Sequence, residues 1–450
     1  MKPIIIVLVV FSTFFISCKK YLDLKPDKAV AVPSTLQDVR VILNNQSNLN
    51  SRYAAIPALA ADNYYVNDAD YASFPQEQDK IAYRWQADAE DAGEWSNLYK
   101  IVFYANTALD ALAKVVLTES NAVEWNACKG EGLFFRSLAF FEIAQVYCAP
   151  YVAGSGNEGS GIPLRLTADV SAPTVRSTIA ASYRRITEDL ELATTLLPVH
   201  VPVKTRPCKA AAFGVLARVS LAMEEYTTAL RYSDSALLYY NQLIDFNTVN
   251  ASAAIPFAVF NNEVIFHSYS SGSGLLNISR CKIDSFLYSS YVTNDLRKTV
   301  YFRTNNNGTY GFKASYNGTT NNYFFNGLAV DELYLVKAEC EARLSGTTAA
   351  MQTLNKLLEK RWKTGTFIPF TAGNNEEALS IVLTERRKEL LFRGVRWQDI
   401  RRLNRDARFV TTLTRKINGQ LYSLPPGDLR YVMLIPSEVI ALTGIEQNPR

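Results

Sequence analysis

The sequence predicts a mostly α-helical protein, built of tetratricopeptide-type helical repeats that carry long loop-rich segments and short β-hairpin insertions. Three observations predict it. Apolar residues recur three and four apart over long stretches between Trp95 and Tyr240, and again after Leu333. Two of these stretches share a helix–turn–helix unit with small residues in matching places. Between them, residues 241–326 lose the helical period and carry Asn-Gly turn signals.

The chain opens with an export signal. Lys2 supplies a positive end, and Ile4 to Ile16 is an apolar run too short to span a bilayer permanently. The run stops at Ser17-Cys18, a small residue before a cysteine, as in a bacterial lipoprotein cleavage box. Cys18 is then the lipidated first residue, and several acyl chains on it give firm anchoring. A plain secretory signal with an incidental cysteine is the alternative. Leu36 to Leu43 reads as a short helix.

Asp62 to Trp85 packs Tyr64, Tyr65, Tyr71, Phe74, Tyr83 and Trp85 among Asp, Asn and Gln with no sustained period. Rings beside amides and carboxylates suit a sugar, whose CH-rich face stacks while its hydroxyls take hydrogen bonds. Asp62, Asn63, Tyr64, Tyr65, Tyr71 and Trp85 are the candidate ligand residues, Trp85 stacking and Asp62 and Asn63 orienting hydroxyls. A polar loop whose rings pack back onto the helices fits equally well.

The helices follow. Trp95, Leu98, Tyr99, Val102, Phe103, Leu109, Leu112 and Val116 form one stripe, and Val123 to Tyr147 is apolar over so broad a face that deep burial is expected. Gly154-Ser-Gly156-Asn-Glu-Gly159 is formally GxGxxG, but it leaves a helix instead of a strand, so a phosphate-binding role is rejected. Ile179 to Leu197 is the next stripe, with Ser177 as N-cap and Pro198 as stop. Lys209 to Ala222 turns at Met223-Glu224-Glu225 into Tyr226 to Tyr240, and Leu333 to Arg361 repeats the unit. Thr227-Thr228-Ala229 matches Thr347-Thr348-Ala349, and Leu237-Leu238 matches Leu357-Leu358. Stacked pairs bury what one pair cannot.

In the intervening insertion Glu263 to Tyr269 reads as a strand, and Asn305 to Gly308 and Asn317 to Thr319 as turns. Tyr301, Tyr310, Tyr316 and Tyr323 lie among them and form a second candidate ligand surface, the alternative being a structural cap over the helices.

Thr384 to Arg402 is the densest run of charge, threaded with Leu390, Leu391, Phe392, Trp397 and Ile400. Glu385 with Lys388, or Glu389 with Arg386, sits at helical spacing for a bridge. Gly394 reads as a helix stop. The favoured reading is a partly buried ion network clamping two helices, the plainer one a solvated face. So much positive charge lowers a carboxylate pKa, which suits an ion pair better than a proton donor at Glu385 or Glu389.

This stretch carries a resemblance. Glu385-Arg386-Arg387-x-Glu389-Leu390 followed by Gly394-x-Arg396-Trp397-x-Asp399-Ile400-Arg401-Arg402 resembles the C-terminal signature of the RagB/SusD family. Arg393 departs from it, standing where the family usually has an acidic residue. Tyr21 to Pro26, the Gly161-Ile-Pro-Leu164 turn, Leu434 to Glu438 and Gln447-Asn-Pro449 resemble further family motifs, so the resemblance runs from Cys18 to Pro449. It implies a SusD-like domain over 18–450 behind a signal peptide at 1–17. The scaffold lies at about 95–240 and 329–405, the insertions at about 44–90 and 241–326. It also implies a lipid-anchored outer-membrane protein, facing the exterior, that captures nutrient glycans for a SusC-like TonB-dependent transporter.

Composition excludes other classes. The formal net charge of +4 on 450 residues implies no nucleic acid partner. Behind Cys18, five cysteines at irregular spacing read as small buried thiols instead of a disulfide framework. Only two histidines exist, His200 and His267, with no HExxH and no nucleophile elbow, so neither enzyme, metal site nor cofactor is expected. A peptide or other non-glycan cargo, or a helical-repeat interaction scaffold without a small ligand, are the rival readings.

Overall fold

The computed structural model describes residues 33–344 and 346–450; the leader, Cys18 and the motif at 21–26 lie outside them. Helix α1 (Leu36–Leu43) has the predicted bounds because it is closed locally. The Thr35 hydroxyl accepts from the Asp38 N–H at 3.2 Å and the Asp38 carboxylate accepts from the Thr35 N–H at 3.0 Å, a capping box.

The scaffold then runs through α2 (Ala92–Leu112), α3 (Ala122–Tyr147), α4 (Ile179–Leu196), α5 (Lys209–Ala222) and α6 (Tyr226–Tyr239). It resumes with α7 (Val330–Leu344), α8 (Thr347–Leu358), α9 (Asn375–Glu389) and α10 (Val395–Leu403). Each helix from α2 to α8 packs on its successor, α6 meeting α7 across the whole insertion. The chain is therefore a row of stacked hairpins around one continuous core. From Ala127 onward α3 is buried on nearly every side, although Val123 in its first turn is exposed, so its polar residues need partners. Arg136 bridges Asp189 of α4 at 2.7 Å, and Glu131 takes Arg40 at 2.7 Å and Arg206 at 2.8 Å.

Two local expectations change. The N-cap of α4 is Thr178, whose hydroxyl accepts from Ala181 N–H at 3.0 Å; Ser177 instead donates to the Ile162 carbonyl. Leu238 faces solvent where Leu358, its match in the second hairpin, is buried. All five described cysteines are buried and unpaired. No helix of the described residues is long and apolar enough to cross a membrane.

The strands are short antiparallel pairs: β1 (Tyr64–Tyr65), β2 (Ser160–Pro163), β3 (Arg176–Thr178), β4 (Val264–Phe266), β5 (Lys282–Ile283), β6 (Phe302–Thr304), β7 (Tyr310–Phe312), β8 (Leu328–Ala329), β9 (Leu413–Ile417) and β10 (Gln420–Leu424). The Asn305–Gly308 turn joins β6 to β7 as predicted, with Asn306 and Gly308 at positive φ. Asn317–Thr319 is a turn but does not join two strands. The insertions that looked separate in sequence are one layer, since β1 of the first pairs with β5 of the second, Tyr64 opposite Ile283 and Tyr65 opposite Lys282.

Candidate ligand surface and the clamp beneath it

The charged stretch is the fastener for that layer. α9 ends at Glu389, earlier than Gly394, because Phe392 (φ 56°) and Gly394 (φ 78°) turn the backbone left-handed; Gly394 is the N-cap of α10, not the stop of α9. The acidic first turn and basic last turn of α9 complement its dipole.

Its side chains then reach away from their own helix. Glu385 bridges Lys388 at 2.9 Å as predicted, but Glu389 does not take Arg386. Glu389 accepts from Arg361 at 2.7 Å and from Arg297 of the insertion at 3.0 Å, while Arg386 bridges Asp399 of α10 at 2.8 Å. Arg402 joins Asp399 (2.8 Å) to Glu339 of α7 (2.5 Å), and Arg361 continues to Glu263 (2.7 Å). Burial alone would raise these acids, yet the adjacent guanidiniums outweigh it and hold Glu389, Glu339 and Asp399 below the usual carboxylate range. The clamp is thus fully buried, and its carboxylates are ion pairs.

Arg393, the departure from the family pattern, has its own partner. It bridges Asp331 at 2.5 Å and lies over the rings of Tyr316 (4.1 Å) and Phe325 (4.6 Å).

Two further arginines of the charged stretch bind the first insertion. Arg396 takes both Asp62 oxygens, at 2.7 and 2.8 Å, and Arg387 takes the Asn63 side-chain oxygen at 3.1 Å and the Asp62 carbonyl at 2.9 Å. Burial opposes ionisation of Asp62, but Arg396 and Arg387 outweigh it and hold the carboxyl well below its ordinary value. Arg415 of β9 donates to the carbonyls of Leu59 and Ala61 and lies 3.5 Å from the Tyr83 ring.

Most predicted ligand residues are therefore corrected to structural ones. Trp85 is 3% exposed, donates its indole N–H to the Ala60 carbonyl at 2.9 Å and packs with Trp397 and Tyr431 in a small satellite core. Tyr64, Tyr71, Tyr301, Tyr316 and Asn63 are also buried, and Asp62 is committed to arginines. They line a floor, because rings next to charges pack on guanidiniums as readily as on sugars.

Three candidates remain accessible. Tyr65 is 38% exposed, opposite Lys282 on β5. Tyr310 is half-buried and stacks on Tyr288 at 3.5 Å between centroids. Tyr323 is 44% exposed and meets Tyr269 edge-on at 6.3 Å. Its loop is held by Asn317, which donates to the Tyr323 carbonyl at 2.9 Å, and by Asn322, which donates to the Ser273 carbonyl at 2.6 Å. Gly272 lets the ring lie close, since a Cβ there would sit 3.0 Å from Tyr323 Cε1. Asn321, two residues before Tyr323, is exposed as well. Sequence reasoning missed Tyr269 and Tyr288; their only signal was membership of the ring-rich insertion.

Comparisons with known proteins agree with this architecture. A family model described as starch-binding, associating with the outer membrane, matches residues 20–221, and the SusD family model matches residues 286–426. A SusD superfamily protein of Bacteroides thetaiotaomicron superposes with a TM-score of 0.74 at 20% identity, covering 92% of this chain and 100% of its own. Another, from Bacteroides vulgatus, gives 0.73 at 23% identity, with 92% and 99% covered. A SusD-like carbohydrate binding protein of Bacteroides vulgatus gives 0.69 at 18% identity, with 91% and 96% covered. No curated protein sequence matches the chain.

Proposed function

We propose that this chain, which belongs to the SusD/RagB family, captures oligosaccharides at the outer membrane and delivers them to a SusC-like TonB-dependent transporter. Cys18 carries the lipid anchor in this reading, and the protein faces the exterior. The family's starch-binding, outer-membrane description supports both the cargo and the location.

One observation carries the reading: Tyr323 stands exposed against the half-buried Tyr269, its loop held by asparagine amides, on a layer whose underside is riveted by buried ion pairs. Tyrosine offers a rigid face at low entropic cost, and a fixed platform avoids the penalty of ordering loops on binding. Tyr65 and the Tyr288–Tyr310 stack extend the same layer through the β1–β5 pairing.

The test is an array of soluble oligosaccharides set against a peptide library, probed with the mature protein. Selective saccharide binding is expected. Binding confined to peptides would replace glycan by peptide cargo.

A further inference from the structure

We propose that a cleft between the insertion and the clamp binds the carboxylate of an acidic sugar, a hexuronate unit, so that part of the cargo is anionic. The inference rests on the oligosaccharide reading and names a chemical class within it.

The cleft, of about 330 Å³, lies between the short helix Ser285–Ser289 and the exposed side of α9. That is near the lower end of small-ligand pockets and enough for about one sugar ring. Arg387 and Arg396 both line it. Each spends Nε and Nη2 on the first insertion, as described above, and neither Nη1 has a protein partner among the described residues. Two guanidiniums thus share one carboxylate, Asp62, line the same space, and each keep an N–H group without a protein partner.

The other charges are accounted for. Lys388 lines the cleft but is bound to Glu385 at 2.9 Å and Asp295 at 3.2 Å. Asp284 faces Arg387 and caps the Ser285–Ser289 helix, accepting from Leu287 N–H at 2.8 Å. The only unmet hydrogen-bonding capacity of the arginines is as donor, and a planar carboxylate matches a fork of N–H groups. Phe286, at the rim, is 86% exposed, a large ring left in water beside two cations. A sugar stacked on Phe286 places a ring carboxylate toward the arginines and its hydroxyls toward Thr384 and Ser290, which also line the space.

The experiment titrates the mature protein with an oligogalacturonate and with its methyl ester, the same backbone without the charge, and uses free acetate as competitor. Thr384→Glu puts a carboxylate into the cleft from an exposed helix position without touching the Asp62 pairs, and Phe286→Ala removes the ring from a site with no packing role. The acid is expected to bind about tenfold or more tightly than the ester, with the preference weakening in salt. Thr384→Glu abolishes the preference, and Phe286→Ala lowers affinity for the acid about tenfold. Equal affinity for acid and ester, or a preference that survives Thr384→Glu, overturns the inference and leaves the oligosaccharide reading standing. Competition by acetate as effective as the oligomer itself also overturns it, because the site is then a general anion site. Binding of neither compound, while neutral glycans bind, overturns it alone; loss of all saccharide binding overturns the broader reading as well.

Discussion

Arg297 and Glu389, 92 residues apart in the chain, meet at 3.0 Å with both side chains wholly buried. The pair joins the insertion to the last turn of α9. Around it Arg297 also takes Asp295 at 2.8 Å and Glu385 at 2.5 Å, so one guanidinium gathers three carboxylates. Such a network adds little over a well-packed apolar core, but it is costly to break in half.

Glu389→Ala strands Arg297 and Arg361 without their shared acceptor. The expected loss is roughly 3–5 kcal/mol of unfolding free energy, read from urea melts. A change near zero would show that the clamp does not hold the layer.

Arg393→Glu replaces the cation by an acid and places it against Asp331, with Glu332 close by in the same helix turn. The cation is lost from between the Tyr316 and Phe325 rings as well. A loss on the order of 3–5 kcal/mol is expected, and Asp331→Asn in the same chain should recover part of it in thermal melts.

The network also sets the pH dependence. Asp62, Asp295, Glu339, Glu389 and Asp399 have depressed values in the fold, since guanidinium partners outweigh burial. Their stabilisation is present above the unfolded carboxylate range and is lost as pH falls through the folded values. Glu94 is the reverse. Burial, with Asp91 nearby, pushes it up to about 8 despite donors from Ser271 and Ala55. Its contribution is full below the unfolded value and disappears as pH rises toward 8. Stability should therefore peak in mildly acidic solution, and Glu94→Gln should flatten the decline on the alkaline side. An unchanged slope in that variant would remove Glu94 from the account.

Local features were legible in the sequence, and long-range ones were not. α1, α5 and α6 came out within a residue or so of their ends, because caps, period and turn residues lie within a few positions of each other. The Glu385–Lys388 bridge was readable as a one-turn pair. The partners of Glu389 were not, since Arg297 and Arg361 reach it only through the fold. Trp85 and Tyr323 looked alike as rings among amides; no period in either stretch distinguished inside from outside, and the structure buries one and exposes the other.

That contrast allows the most direct measurement of the central claim, that the open insertion face holds the cargo and the rings beneath it hold the fold. Calorimetric titration of an array-selected oligosaccharide would compare Tyr323→Ala with Trp85→Phe. Tyr323→Ala should weaken binding by roughly 1–3 kcal/mol at unchanged melting temperature. Trp85→Phe should bind as the parent does while losing about 1 kcal/mol of stability with its indole hydrogen bond. Full affinity in Tyr323→Ala together with lost affinity in a folded Trp85→Phe would contradict the account.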